Sequence, residues 1–316
     1  MQRHYLIIDG NSIGHMAQNM KPLTIGTMQV QAIYGFMRIL RAYVSKYSFA
    51  TPIVLWDGLS WRKTAYPAYK ENRDRAETKH EVIKQASNKA YHAQRPHIEK
   101  ALSFLGVTQV KAQNMEADDL AAILTKLYRS QGHKVALVTE DQDWLQLIQD
   151  GVTVERPRTK DRITVSNFTE VTGCQTTAQF VEMKALMGDK GDNINGVGGV
   201  GDKRALEFLG TYGSFNSFLN MVTLEKSIDL KKLPKWQRDL VEDEAKAIAF
   251  DFNIRLVDLN TTARPKPEHM HVFKGEPSPE NFRKLCDVLL FKSITDQFET
   301  WISAFPVAHQ VVAQAA

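Results

Sequence analysis

Cysteine is almost missing from this chain. Its 316 residues hold two, Cys174 and Cys286. They lie far apart and without zinc-type spacing, which argues against a disulfide framework or a zinc module and for reduced thiols in a cytosol. None of the nine histidines falls in a ligand pattern. No stretch approaches the roughly 18 apolar residues of a membrane-spanning helix. The opening MQRHYLIIDG has an apolar run too short for a signal peptide, and that run ends in an acid, so it reads as a first β-strand. Charge of one sign is not in excess. Forty basic against 36 acidic residues leave +4, with a pI near 8.9, which permits nucleic acid as a partner without demanding it. No internal repeat is visible. A chain that is 43% hydrophobic and 24% charged suits a soluble globular protein with one large or two smaller domains and a sizeable core.

What is present is acid at particular places. Short apolar strands are expected at 4–8, 52–56, 107–110 and 134–138, separated by helical patterns such as the one over 28–47. That alternation predicts an α/β fold, a mostly parallel sheet flanked by helices, whose ligands bind beyond the carboxyl ends of the strands. Carboxylates recur at those ends: Asp9, Asp57, the cluster Glu116, Asp118 and Asp119, then Asp141 and Asp143. The cluster opens the amphipathic stretch Asn114–Tyr128. One helix cap needs one acid, and Glu116 and Asp119 share a helix face, so a cation between packed carboxylates is expected. Anionic oxygens without histidine or cysteine call for a hard divalent ion, Mg2+ first and Mn2+ second.

Residues 60–100 differ in character. Ten basic and five acidic side chains give the segment +5, and Trp61, Tyr66, Tyr69 and Tyr91 are interleaved. An exposed, largely helical excursion is expected, with a positive, aromatic-lined groove suited to single-stranded nucleic acid. A short ribbon is expected at 152–154 and 162–165, and mainly helix beyond it. The run MGDKGDNINGVGGVGDKR at 187–204 matches GxGxxG formally, but no buried strand precedes it, and Asp202 breaks a Walker motif. Two helices joined by a glycine turn, the second starting near Val200, fit better. Such a turn binds phosphate through backbone N–H groups, helped by Lys203 and Arg204. Asp189 and Asp192 add two carboxylates. Helices are expected at 236–250 and 278–291, a strand or extended segment at Phe252–Val257, a proline-rich loop at 264–279, and a disordered tail at 306–316.

Together these motifs resemble the 5′-nuclease (flap endonuclease) superfamily, in particular bacteriophage 5′-exonucleases and the 5′-nuclease domain of bacterial DNA polymerase I. The matching residues are IDGNS at 8–12, WDG at 56–58, YKENR at 69–73, EADDLAA at 116–122, EDQDWLQL at 140–147 and MGDKGDNINGVGGVGDKRA at 187–205. The resemblance implies a PIN-like catalytic core over 1–173, with a helical arch at about 60–100. It also implies a helical DNA-binding part over 174–305 with a helix–hairpin–helix element at about 185–220. The implied activity is Mg2+-dependent cleavage near the 5′ end of flap, nicked or duplex DNA in replication. By motif position, Asp9, Asp57, Glu116, Asp118 and Asp119 would hold one metal, and Asp119, Asp141, Asp143, Asp189 and Asp192 a second. Lys70 and Arg73 would meet the scissile phosphate. Arg62, Lys63, Tyr69, Gly196, Gly198, Gly201, Lys203 and Arg204 would meet DNA, and the glycine hairpin could hold K+. The chain departs from the pattern at His15, where an arginine is common nearby, and at Glu140, where a small residue is usual. No polymerase segment follows, so a free-standing, monomeric phage nuclease is expected, acting in the host cytoplasm with no membrane partner. The alternatives are RNase H-like removal of RNA primers from RNA–DNA hybrids and a non-catalytic structure-specific DNA-binding protein.

Overall fold

The computed structural model describes residues 2–74, 77–261 and 265–305. The expected tail, 306–316, and Arg75 of the basic segment lie outside the described residues. The chain begins β1 (His4–Asp9), α1 (Gly10–Gln18), the small hairpin β2–β3 (Thr24–Ile25, Met28–Gln29), α2 (Gln31–Lys46) and β4 (Ala50–Trp56). It continues through α3 (Trp61–Ala65) and α4 (Lys79–Phe104) to β5 (Thr108–Ala112), α5 (Ala117–Ser130), β6 (Lys134–Val138), β7 (Val152–Arg156) and β8 (Asp161–Ile163). Then come α6 (Phe168–Thr172), α7 (Thr177–Met187), the hairpin β9–β10 (Gly188–Asp189, Ile194–Asn195), α8 (Asp202–Tyr212) and α9 (Phe215–Thr223). Last are α10 (Lys235–Glu242), α11 (Glu244–Val257), β11 (Met270–Phe273), α12 (Pro279–Val288), α13 (Lys292–Thr295) and α14 (Phe298–Ile302).

Seven strands form one sheet in the order β11-β5-β4-β1-β6-β7-β8. β5, β4, β1, β6 and β7 run parallel, and the two edge strands run antiparallel. Strands covered on both faces read as continuous apolar runs. Leu6, Ile7 and Ile8 are all buried for that reason. Ile7 faces a core shared with α5, α7 and α11. Leu6 and Ile8 face a second core built from α1, α2, α4 and the helices from α12 onward. Trp56, Trp144 and Trp301 are buried, as are both cysteines, whose thiols burial pushes up to about 11 for Cys174 and about 12 for Cys286. Among the described residues no helix is long and apolar enough to cross a membrane.

Several local expectations need correction. Phe252–Val257 is not extended: it is the last part of α11, whose Leu256 and Val257 sit in the core. The helix expected at 236–250 is two helices, broken at Asp243, which caps the second. The loop expected at 264–279 contains β11, which pairs with β5 from Met270 to Phe273. A four-residue edge strand between prolines is too short to show a period. Residues 270–305 thus return to the sheet at β5 and to the second core. Helix α2 starts at Gln31 because Met28 belongs to the small hairpin, α8 starts at Asp202, and α12 ends at Val288.

Candidate active site

Each predicted strand-end acid stands at the carboxyl edge of the sheet, and each has a defined partner. Asp9 closes β1 and caps α1, accepting from the Ser12 N–H at 2.9 Å and the Thr139 hydroxyl at 2.8 Å. Asp57 accepts from the Ala117 N–H at 2.8 Å and from the Asn11 amide. Asp118, in the first turn of α5, accepts from the Trp144 indole at 2.6 Å. Asp141 follows β6 and accepts from the Asp143 N–H at 2.9 Å. Neutral donors do not cancel charge. Burial, then the neighbouring Asp57, raises Asp9 to about 7. Burial, then Asp141, Asp9 and Asp57, holds Asp118 well above the usual carboxylate range. Burial also raises Asp141, against the pull of Lys184 and Lys70.

The other acids meet cations. Lys70 contacts Glu116 and lies 3.8 Å from Asp192. Arg73 reaches Asp192 at 2.6 Å. Lys184, on α7, contacts Asp143 and lies 3.1 Å from Asp189. Burial would raise Glu116, but Lys70 and Arg62 outweigh it and the pKa falls. Lys184 does the same for Asp189. The sheet edge and the β9–β10 hairpin are stitched together by the stretch before α4. The Lys70 N–H donates to the Asp192 carbonyl at 2.9 Å, Asn72 to the Lys190 carbonyl at 2.6 Å, and Asn193 to the Ala68 carbonyl at 2.8 Å. Lys70 and Asn193 have positive φ, 57° and 58°, strain that such cross-links hold in place. The Asp189 carboxylate also accepts from the Gly191 and Asp192 N–H groups, at 2.7 and 3.1 Å.

Some expectations change. Arg62 is not a DNA-facing cation. It is 2% exposed and donates to both Asp119 oxygens, to Glu116 and to the Leu256 carbonyl. Asp119 thus turns its carboxylate to the Arg62 guanidinium. It is fully buried, and its Oδ2 also accepts from the Glu116 N–H at 3.1 Å. Tyr69 and Tyr91 are not stacking platforms. Tyr69 is buried and donates to Glu116 and Asp192, and Tyr91, on the inner face of α4, is buried against α1 beside Gly10 and Asn11. His15 does not supply the arginine's charge: burial, then His92 and nearby arginine and lysine, lowers it to about 4. Glu140 turns away to the Arg158 N–H at 2.6 Å.

Lys63 is exposed and donates to the Tyr69 carbonyl. In the glycine turn, Gly196 is required by packing, since a Cβ there would come within 2.3 Å of the Met187 carbonyl. Gly198 has φ +83° and open space around it, and Gly201 is the N-cap of α8, also open. Lys203 and Arg204 are exposed beside it, Arg204 donating to the Gly199 carbonyl and sitting 6.0 Å over the Trp236 ring. Lys184 is the site residue that sequence reasoning missed. Its signal was a lone lysine in the apolar helix FVEMKALM. With the lysines in place, the space among Asp118, Asp143, Asp189 and Asp192 is about 10 Å³, barely room for one water. Among the described residues, no three acidic, histidine or cysteine side chains are grouped so as to hold a metal ion as they stand.

Comparison with known proteins follows the same outline. The profile of the 5′-3′ exonuclease N-terminal resolvase-like domain matches residues 4–173, and that of the 5′-3′ exonuclease C-terminal SAM fold matches 175–275. The thermostable DNA polymerase I of Thermus thermophilus is 30% identical over 298 residues, 93% of this chain but 33% of that protein, so the chain spans about a third of its relative's length. A structure of bacteriophage T5 flap endonuclease with DNA and metal ions superposes at a TM-score of 0.65, with 23% identity, covering 97% of this chain and all of that one. The catalytic core of Rad2 in complex with DNA substrate gives 0.55, with 17% identity, covering 94% and 92%. These structural likenesses establish the fold.

Proposed function

Since the chain belongs to the 5′-3′ exonuclease family, we propose that it is a divalent-metal-dependent nuclease cutting phosphodiester bonds near the 5′ end of flap, nicked or duplex DNA. The observation that carries this reading is electrostatic. Asp9, Asp118 and Asp141 lie at one sheet edge, where burial raises all three, joined by neighbouring carboxylates: Asp57 and Asp141 for Asp9, Asp141 and Asp9 for Asp118, and Asp189 for Asp141. A hard cation relieves that strain, and an all-oxygen donor set suits Mg2+ or Mn2+. The T5 relative carries metal ions and DNA together.

Asp9, Asp57, Glu116 and Asp118 would hold metal on one side, and Asp141, Asp143, Asp189 and Asp192 on the other. Bound Mg2+ would supply Lewis acidity and an activated water. Lys70 and Lys184 are paired with these carboxylates, and each could turn to a phosphate oxygen if its acid partner took up a cation. Arg73, half exposed on Asp192, can place a fork of donors on the same phosphate. The open side of the glycine turn, with Lys203 and Arg204, suits a duplex backbone away from the cut, and a K+ ion held by its carbonyls is part of the same reading.

The test is cleavage of a 5′-labelled flap duplex with Mg2+, with and without EDTA, beside an unbranched duplex and an RNA–DNA hybrid. Mg2+-dependent cuts near the flap junction are expected. Tight binding of the flap by folded protein with no cleavage of any substrate would reduce the chain to a structure-specific binding protein, and preference for the hybrid would make it an RNase.

A further inference from the structure

A larger cavity lies away from the acids. About 800 Å³ opens between α2, the loop after α1 and the β7–β8 turn. Helix α1 separates it from the chemistry: Asp9 caps one end, and Met20 and Leu23, both exposed, follow the other. The floor is apolar, formed by Ile39, Ala42 and Pro157. Four cations line it, Lys21, Arg38, Lys46 and Lys160, against one acid, Glu155. That acid is spent: its carboxylate takes Lys46 at 2.7 Å and the Tyr47 hydroxyl at 2.5 Å, and Arg162 lies 3.8 Å away. Lys21, Arg38 and Lys160 have no ion pair and no side-chain hydrogen bond among the described residues. An apolar floor inside an unneutralised basic rim fits a ligand that is acidic and carries an apolar anchor.

Nucleic acid is the obvious polyanion, but an unpaired base needs an aromatic face. The two tyrosines lining the cavity are already covered: Arg38 sits 5.6 Å over the Tyr34 ring, and Lys46 5.7 Å over the Tyr43 ring. Tyr34 is further fixed by its hydroxyl on Ser293 and its ring against Phe291. An aliphatic or phenyl anchor needs only the floor. We propose that this groove docks an acidic peptide segment of a partner protein, with a leucine- or phenylalanine-sized side chain in the cavity and carboxylates on Lys21, Arg38 and Lys160. The cavity lining includes none of the strand-end acids, so a partner could be held beside the enzyme without occupying its acidic edge.

The test uses the whole chain and a fluorescein-labelled peptide, Glu-Glu-Asp-Leu-Phe, followed by anisotropy. A Gln-Gln-Asn-Leu-Phe peptide and a labelled oligothymidylate serve as comparison probes. Micromolar binding of the acidic peptide is expected, with the amide peptide at least ~10-fold weaker. Arg38→Glu reverses the rim, and Ala42→Trp fills the floor from an exposed helix position. Each should cost the acidic peptide at least ~10-fold while flap cleavage and the thermal midpoint stay unchanged. The proposal fails if the acidic peptide does not bind, if neither variant weakens it, or if oligothymidylate is the probe that both variants release. Should Ala42→Trp misfold, Arg38→Glu and Lys160→Glu carry the decision alone.

Discussion

Asp9, Asp57 and Asp118 are held by neutral donors, whereas Glu116, Asp143, Asp189 and Asp192 are held by lysine and arginine. The two halves of one acidic edge thus tolerate crowding in different ways. In the first, an N–H, a hydroxyl or an indole fixes each carboxylate without cancelling its charge, and the pKa values of Asp9 and Asp118 rise. In the second, ammonium or guanidinium groups neutralise the acids in place, and Glu116 and Asp189 fall. The first half keeps its negative charge uncompensated. The second is neutralised by Lys70 and Lys184, each of which spans two acids. What the carboxylates are paired with decides which of them keep that charge.

The largest break in that contrast comes from Asp118→Asn. Removing a charge from the uncompensated half should slow flap cleavage roughly a thousandfold, about 4 kcal/mol of barrier. It should also raise the metal-free thermal midpoint, because a repelling carboxylate is gone. Addition of Mg2+ should stabilise the parent protein more than the variant, as ligand linkage requires. A metal-free variant that melts lower than the parent would show that Asp118 contributes to folding rather than straining it.

Next is Arg62→Met, which strips the buried cation from Glu116 and Asp119. Breaking a buried pair and leaving the acids uncompensated should cost about 3 kcal/mol in urea unfolding. Arg62→Lys should recover part of it, since lysine restores the charge but not the fork onto both Asp119 oxygens. A cost near zero for Arg62→Met would mean that the buried pair adds nothing net to stability.

Much of this edge could be read from the chain. Strand-end acids are visible because a parallel sheet turns the sequence positions after its strands into one edge, and Asp9, Asp57, Glu116 and Asp141 needed only that rule. The direction of a side chain within the edge could not be read. Glu116 and Asp119 share a helix face, so spacing could not tell that Asp119 turns inward to Arg62. Arg62 lies in a basic segment where exposure is the ordinary expectation, and its burial depends on the Leu256 carbonyl, 194 residues away. Lys184 has the same character: its meaning appears only when α7 is laid beside β9. Aromatic residues among charges look like platforms, but Tyr69 turns inward to Glu116 and Asp192 and Tyr91 inward to Gly10 and Asn11, contacts that spacing does not show.

A smaller effect tests whether the uncompensated half has any cation of its own. His15 lies on α1, the helix that Asp9 caps, and burial lowers it from 6.5 to about 4. Between those values the unfolded chain binds a proton that the folded chain refuses, so the stability His15 protects is complete above pH 6.5 and is lost as pH falls toward 4. After discounting for partial exposure, the loss should be roughly 1–2 kcal/mol. His15→Gln should flatten the urea midpoint between pH 7.5 and 5 relative to the parent. An unchanged slope would mean that His15 titrates alike in the folded and unfolded chain.

The smallest effect concerns the boundary of the compensated half. Glu140 stands beside Asp141 in sequence, yet its carboxylate accepts from the Arg158 N–H at 2.6 Å and lies 3.9 Å from the Arg158 guanidinium. Its backbone N–H donates to the Ser12 hydroxyl at 3.0 Å, a contact that any residue there would keep. Glu140→Ala should therefore change flap cleavage by less than about twofold, within the ~0.5 kcal/mol typical of surface substitutions. A loss comparable to that of Asp118→Asn would mean that Glu140 swings inward when substrate binds, and the division between the two halves would then hold only for the free protein.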